Sequence, residues 1–249
     1  MRCARGASLL AAGVAIAAAA AAAQPLADLV VGSFAQAEPG GALPAGWMPL
    51  TFAHIRAHTQ YALVRDAEAG VVVEARANGS ASGLLRKLDA PAGERPLLAW
   101  RWKVERLIER GDVTRQEGDD YPARIYVTFR YVPERLSLAQ RIRYTALRVL
   151  YGEYPPHAGL NYIWDAKAPV GAIVPNPFTD RVRMIVVESG SARLGRWIAY
   201  ERDIVADYRR AFGEDPPPIS GVALMTDTDN TGETATAWYG DITLSPRPP

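Results

Sequence analysis

Eleven short segments, each alternating in polarity or rich in β-branched residues, recur along this chain between glycines, prolines and aspartates. They read "LVVGSF", "YALVRD", "VVVEAR", "GLLRKL", "LLAWRWKV", "ARIYVTFRY", "LNYIWD", "RVRMIVVES", "RWIAYERD", "SGVALMTD" and "TATAWYGDITL". Period-2 alternation bounded by turn residues is the pattern of half-buried strands, and strands at this spacing specify an antiparallel sandwich or barrel. A doubly wound α/β fold needs a helix after nearly every strand, and those helices are missing. No fixed-period repeat points to a solenoid or propeller. The fold class expected is all-β: an antiparallel β-sandwich of jelly-roll or galactose-binding-like type, with two helical insertions.

The first insertion, within "PERLSLAQRIRYTALRVLYGEY" and spanning about 134–151, places Leu138, Ile142, Leu147 and Leu150 near one face and Arg141, Arg143 and Arg148 mostly elsewhere. The second, about 203–212 in "DIVADYRRAFGEDPPP", has Asp203 as N-cap, turns Ile204, Tyr208 and Phe212 toward the sheet, and stops at Gly213. Both are expected to cover a sandwich edge or open end. Resting on a membrane surface is the competing reading for the arginine-rich one.

The N-terminus has Arg2 and Arg5 followed by an alanine-dominated run to Ala23. That is the form of a secretory signal peptide over residues 1–23, cut before Gln24. Alanine is too weakly apolar, and the run too short, for the roughly 20 strongly apolar residues of a membrane span. A periplasmic or secreted location, of the Gram-negative envelope type, follows as the expectation, with no transmembrane anchor and one domain over 24–249. The single cysteine, Cys3, falls inside the leader, which leaves the rest without a disulfide, thiol catalyst or thiolate metal site. Of 28 basic side chains the leader carries two, leaving 26 against 27 acidic ones. So balanced a charge gives no electrostatic warrant for nucleic acid as a partner.

Chemistry-bearing residues gather in two places. "DTDNTGE" has aspartates and glycine at the first, third and sixth positions of an EF-hand loop, but Trp238 stands where the bidentate glutamate belongs, and the flanks read as strands. Two readings remain: a turn of residues tolerant of left-handed geometry, Asn230 and Gly232 above all, or a ligand or cation site using Asp227 and Asp229. "QEGDDYPAR" sets Glu117, Asp119 and Asp120 before a strand whose polar face holds Arg124, Tyr126, Thr128 and Arg130, opposite Ile125, Val127 and Phe129 in the core. At most one of the adjacent aspartates is expected to pair with Arg124. Asp119 or Asp120 with Asp227 or Asp229 is also a candidate pair for glycoside cleavage. His54 and His58 stand four apart with no acidic partner, which makes a metal site there the weaker reading. Nucleophile-elbow, phosphate-loop and metalloprotease patterns are absent.

Trp100 and Trp102 share an apolar face of "LLAWRWKV" and are expected in the core. If that strand pairs with "ARIYVTFRY", Arg101 and Lys103 join Arg124 and Tyr126 in a basic, aromatic strip. "ISGVALMTD" and "TATAWYGDITL" are expected to pair across a turn where Asn230 or Gly232 takes positive φ, with Asp227 and Asp241 holding the hairpin and Asp229 free for a ligand. Thr236, Trp238 and Ile242 should then face opposite Asp241, unless Gly240 introduces a bulge.

With "GDDYPARIYVTF", "LNYIWD" and "GVALMTDTDNTGETATAWYGDI" in this order, the chain resembles the uncharacterised bacterial family called domain of unknown function 3047, from about Val31 to Leu244. The resemblance implies a secreted or periplasmic protein and no known reaction. By fold analogy it points to sandwiches like those of carbohydrate-binding modules. The motif residues it marks, without roles, are Asp119, Asp120, Arg124, Asn161, Trp164, Asp227, Asp229, Asn230 and Asp241. Together with Tyr126, all but Asp241 form the expected ligand-binding set. The functions weighed are a non-catalytic module for a saccharide or other polar envelope ligand, a polysaccharide-cleaving enzyme using paired carboxylates, and a structural protein braced by calcium. No other cofactor or metal is expected.

Overall fold

The computed structural model describes residues 26–151 and 154–248, so the leader 1–23 and its cleavage point lie outside the described residues. The strands are β1 (Leu29–Gly32), β2 (Trp47–Leu50), β3 (Gln60–Asp66), β4 (Gly70–Asn78), β5 (Ala81–Ala90), β6 (Leu97–Val104) and β7 (Arg124–Phe129). They continue with β8 (Ala158–Asp165), β9 (Ile173–Asn176), β10 (Thr179–Ser189), β11 (Ile198–Asp203), β12 (Ile219–Asp227) and β13 (Thr234–Ser245). One sheet runs β11-β6-β13-β4-β3, with β1 also on β13; the other runs β2-β5-β12-β7-β8-β10-β9. All eleven expected segments are strands, and the fold is an all-β sandwich. Among the described strands the one departure from antiparallel pairing is β8 with β10, which run parallel.

The faces assigned by alternation hold where they matter most. Ile125, Val127 and Phe129 of β7 and Leu98, Trp100, Trp102 and Val104 of β6 join one buried cluster between the sheets. Trp100 and Trp102 meet edge to face at 5.6 Å. Strand β8 is buried at every position, because its outer side is covered too. Val113 and Tyr121 from the segment before β7 pack there on Ile163, Met184 and Val186. That segment folds back tightly: a Cβ at Gly118 would lie 2.6 Å from the Asp112 amide nitrogen, so only glycine fits.

Helix α2 (Ile204–Phe212) matches its expectation closely. Asp203 accepts from the Val205 and Ala206 amides, Gly213 ends the helix at φ 76°, and Ile204 and Tyr208 are fully buried. Tyr208 meets Phe129, the last residue of β7, at 4.6 Å, so α2 plugs one end of the core. Helix α1 (Leu138–Tyr151) is different. Leu138 and Ile142, expected to face the sandwich, are 74% and 63% exposed, and Tyr144 is the side chain turned inward. The Leu147 and Leu150 side chains lie outside the described residues. The aromatic anchors explain the rotation: Tyr131 stacks on Tyr144 at 4.9 Å and on Tyr154 at 4.3 Å, and Tyr144 donates to the Pro156 carbonyl. The helix is therefore anchored just beyond β7 and before β8, and its Gln140, Arg143 and Tyr144 line a groove on the outer side of the seven-stranded sheet.

Two expected pairings are corrected. β6 and β7 belong to opposite sheets, as do β12 and β13, so neither pair is hydrogen-bonded. Thr226 and Tyr239, still linked through their hydroxyls at 2.8 Å, face each other across the core instead. The bulge at Gly240 is real: the β13 register on β6 slips between Tyr239 and Ile242. Tyr239 and Ile242 both stay in the core, so Asp241 falls on the outer side with Trp238. It accepts from the Ala35 amide at 2.9 Å and fastens the N-terminal turn rather than a hairpin.

Candidate functional site

Arg124, Tyr126 and Thr128 alternate outward from β7, and the two ends of this row have different surroundings. At the Arg124 end, the segment 119–123 and the turn 227–231 close over the sheet. Arg124 and Asp227 form an ion pair with both side chains buried, and Asp227 also lies within 3.4 Å of the Tyr121 amide. The guanidinium lies over the rings of Tyr121 and Tyr126, at 5.1 and 5.4 Å from their centroids. Arg124 thus pairs with neither Asp119 nor Asp120. Asp119 accepts from the Tyr121 hydroxyl at 3.1 Å and from Asn176 Nδ2 at 3.2 Å. Burial pushes its carboxyl above the usual range.

Asp120 holds the turn. It accepts from the Thr231 amide at 2.6 Å, the Asn230 amide at 3.3 Å and Asn230 Nδ2 at 3.2 Å. Gly232 then takes φ 67°, and its amide reaches the Thr228 carbonyl at 2.8 Å, the left-handed position the sequence reserved for Asn230 or Gly232. Asp229 is half-buried, its carboxyl raised by burial and by the Asp120 charge. One oxygen each of Asp120, Asp227 and Asp229 lie within 4.8 Å of one another. The expected convergence of the two acidic motifs is therefore present. Arg124 already places a positive charge in it, which is what a bound cation would otherwise supply.

Asn161 lies beside Tyr126 in register. It donates to Met184 Sδ at 3.4 Å while its Oδ1, like Arg124 Nε and Nη1, meets no partner among the described residues. Trp164 does not join the site: it faces the core, fully buried, and its indole donates to the Gly190 carbonyl at 3.0 Å. His157 is buried and held below its usual pKa by burial and then by the Arg181 charge; neither His54 nor His58 joins an acidic cluster among the described residues.

At the other end the same sheet face is open, and a groove of about 860 Å³ runs across it. Its floor is set by small residues in mid-strand. Ala223 of β12 stands beside Tyr126, and Gly221 and Gly159 flank Thr128. Leu50, Phe52, Leu85 and Leu88 form one wall, Thr179 to Val182 the other, and Tyr131, Gln140, Arg143, Tyr144 and Tyr154 the roof. Ser220 and Thr128 hydroxyls lie 3.0 Å apart on the floor. Of the residues expected from sequence, only Tyr126 lines this groove. The signal for the rest was available in "SGVA" and "AGL": glycine, serine and alanine where strand interiors favour β-branched residues.

A basic, aromatic strip does exist, but on the other sheet. Lys103 Nζ sits 5.1 Å from the Trp197 ring and 4.7 Å from that of Trp238, and pairs with Asp66. Asp66 also accepts from the Trp197 indole at 3.0 Å, and Glu74 from that of Trp238 at 3.2 Å. Its polar groups satisfy one another, as in a structural clasp.

No curated protein matches this chain by sequence. Among solved structures it is similar to the family 11 carbohydrate-binding module of the cellulosomal cellulase Lic26A-Cel5E of Clostridium thermocellum, at 11% identity and a TM-score of 0.43, over 89% of this chain and 96% of that one. It is similar also to the family 30 module of the cellulosomal cellulase Cel9D-Cel44B of the same organism, at 10% identity and a TM-score of 0.43, over 90% and 100%. The family model described as "Protein of unknown function (DUF3047)" matches residues 45–243, and the chain belongs to that family.

Proposed function

We propose that this protein is a non-catalytic binding module that holds a saccharide in the groove on the outer face of its seven-stranded sheet. The observation that carries the reading is the groove itself: a trough floored by glycine and alanine, walled by apolar side chains and tyrosines, with a few hydroxyl, amide and guanidinium groups at fixed places. Sugars present apolar C–H faces and a ring of hydroxyls, and pockets that take such ligands combine broad apolar contact with a few placed polar groups. The acidic cluster supports the groove rather than replacing it. Asp120 is committed to the turn, Asp227 to Arg124 and Asp119 to Tyr121 and Asn176, which leaves Asp229 without a second free carboxylate for acid–base work. Tyr126, between cluster and groove, is the residue of the motif set assigned to ligand contact.

The basic start and alanine run of the leader support a periplasmic or secreted location. No helix among the described residues is long and apolar enough to cross a membrane.

Calorimetric titration with a panel of neutral and acidic oligosaccharides tests the reading. Saturable binding, weakened about tenfold or more in Tyr126→Ala, is the expected result; no heat with any glycan removes it. Reducing ends released by the protein, and not by an Asp120→Ala, Asp227→Ala double variant, would replace binding with cleavage.

A further inference from the structure

Resting on the groove as the binding site, we infer that its ligand is an acidic saccharide whose carboxylates are met by Arg181 and Arg143. Among the described residues, four cationic side chains line the groove, Lys87, Arg130, Arg143 and Arg181, against one acid, Asp180. In a chain whose charges nearly cancel, that local excess is not inherited from composition.

Partnering narrows it further. Most arginines near carboxylates are paired, as Arg130 is with Asp89 at 3.2 Å, and Lys87 has an interaction of its own. The guanidinium groups of Arg143 and Arg181 have neither an ion pair nor a hydrogen bond among the described residues. Arg181 is half-buried in the wall formed by β10, and Arg143 stands on the α1 roof. Both line the groove beside Tyr144, whose hydroxyl feels the charges of Arg181, Asp180 and Arg143. Two guanidiniums lining one cleft, neither of them ion-paired among the described residues, present the planar donors that recognise a carboxylate. The ring walls and the Thr128 and Ser220 hydroxyls suit the sugar that carries it. An amphiphile with an anionic head would use the same cations, but it would make no use of the Thr128 and Ser220 hydroxyls, which bond each other at 3.0 Å on the floor.

The probe is oligogalacturonate, compared with its methyl ester, which has the same sugar without charge, with dextran sulfate, and with a long-chain fatty acid. The acid form should bind, the ester should bind roughly tenfold more weakly or worse, and Arg181→Gln should lower affinity by a similar factor. Raising salt to about 0.5 M should weaken the acid form and spare the ester. Arg143→Gln, on the exposed helix, provides the same comparison should Arg181→Gln fail to fold. Equal binding of acid and ester overturns this inference and leaves the groove reading standing, and so does dextran sulfate binding as tightly as the uronate. Binding of the fatty acid with no glycan bound overturns both.

Discussion

The two ends of the β7 outer face are built from similar residues and put them to opposite use. Around Arg124, four aspartates, one arginine and two tyrosines satisfy most of one another's polar groups under a covering loop. Around Thr128, arginines, tyrosines and hydroxyls of the same kinds surround open space, and the guanidiniums of Arg143 and Arg181 lack partners among the described residues. Burial and ion pairing, rather than residue type, separate a structural knot from a surface that can take a ligand. The acidic motifs are conspicuous in the sequence for the same reason that they are poor candidates for ligand contact: each is needed to satisfy the other.

The largest effect should come from breaking the knot. Asp227→Asn strands a buried guanidinium, and removing one partner of a buried pair costs about 3–5 kcal/mol. In a chain of this size that is a fall in melting temperature of roughly 10 °C or more, read by calorimetry. Replacing both partners, Arg124→Met with Asp227→Leu, should cost less than Asp227→Asn alone. If the single variant melts like wild type, the knot is not what holds this end of the sheet, and the comparison of the two ends fails.

The next effect belongs to the roof. Tyr131→Ala removes the ring against which Tyr144 and Tyr154 both stack. Amide exchange in residues 138–146 should quicken, and groove affinity should fall about tenfold, while the melting temperature changes by only a few degrees. A fall as large as that of Asp227→Asn would mean that α1 is part of the core rather than a cover.

Much of this architecture was legible in the sequence because period-2 alternation reports a strand with one wet face. All eleven such segments are strands, and Asp203 and Gly213 bounded α2 correctly. The two strands missed, β2 and β9, have four residues each and contain Pro49 and Pro175. Both lie at the edges of the seven-stranded sheet, where a residue without an amide proton is tolerated and the pattern is too short to read. Pairing was the harder problem. Consecutive strands joined by a tight turn usually pair, yet in this sandwich β12 and β13 pass from one sheet to the other, a choice made by the core that both faces share. Likewise α1 has an apolar stripe that suggests one orientation, and the stacking of Tyr144 on Tyr131, distant in pattern terms, decides another. The groove left only a faint mark, the small residues of "SGVA" and "AGL" in mid-strand, which alternation by itself does not single out.

The smallest effect is the sharpest test of how the knot handles its surplus acid. Asp229 has a folded pKa raised above the usual 3.8 by burial and by Asp120. A carboxyl with a raised folded pKa favours the folded state when protonated. That contribution is present below the unfolded value and is lost as pH rises through the folded one. At neutral pH the charged group is therefore a cost. Asp229→Asn should raise the melting temperature by about 2 °C at pH 7, and the gain should vanish as pH falls toward 3.8. Calcium enters as the competing explanation, because a cation bound by Asp120, Asp227 and Asp229 would reverse the sign. It would stabilise the folded state in proportion to occupancy, and Asp229→Asn would then lower the melting temperature in millimolar calcium and have little effect in chelator. With Arg124 already occupying the electrostatic role of that cation, the expected result is the same small gain in both conditions.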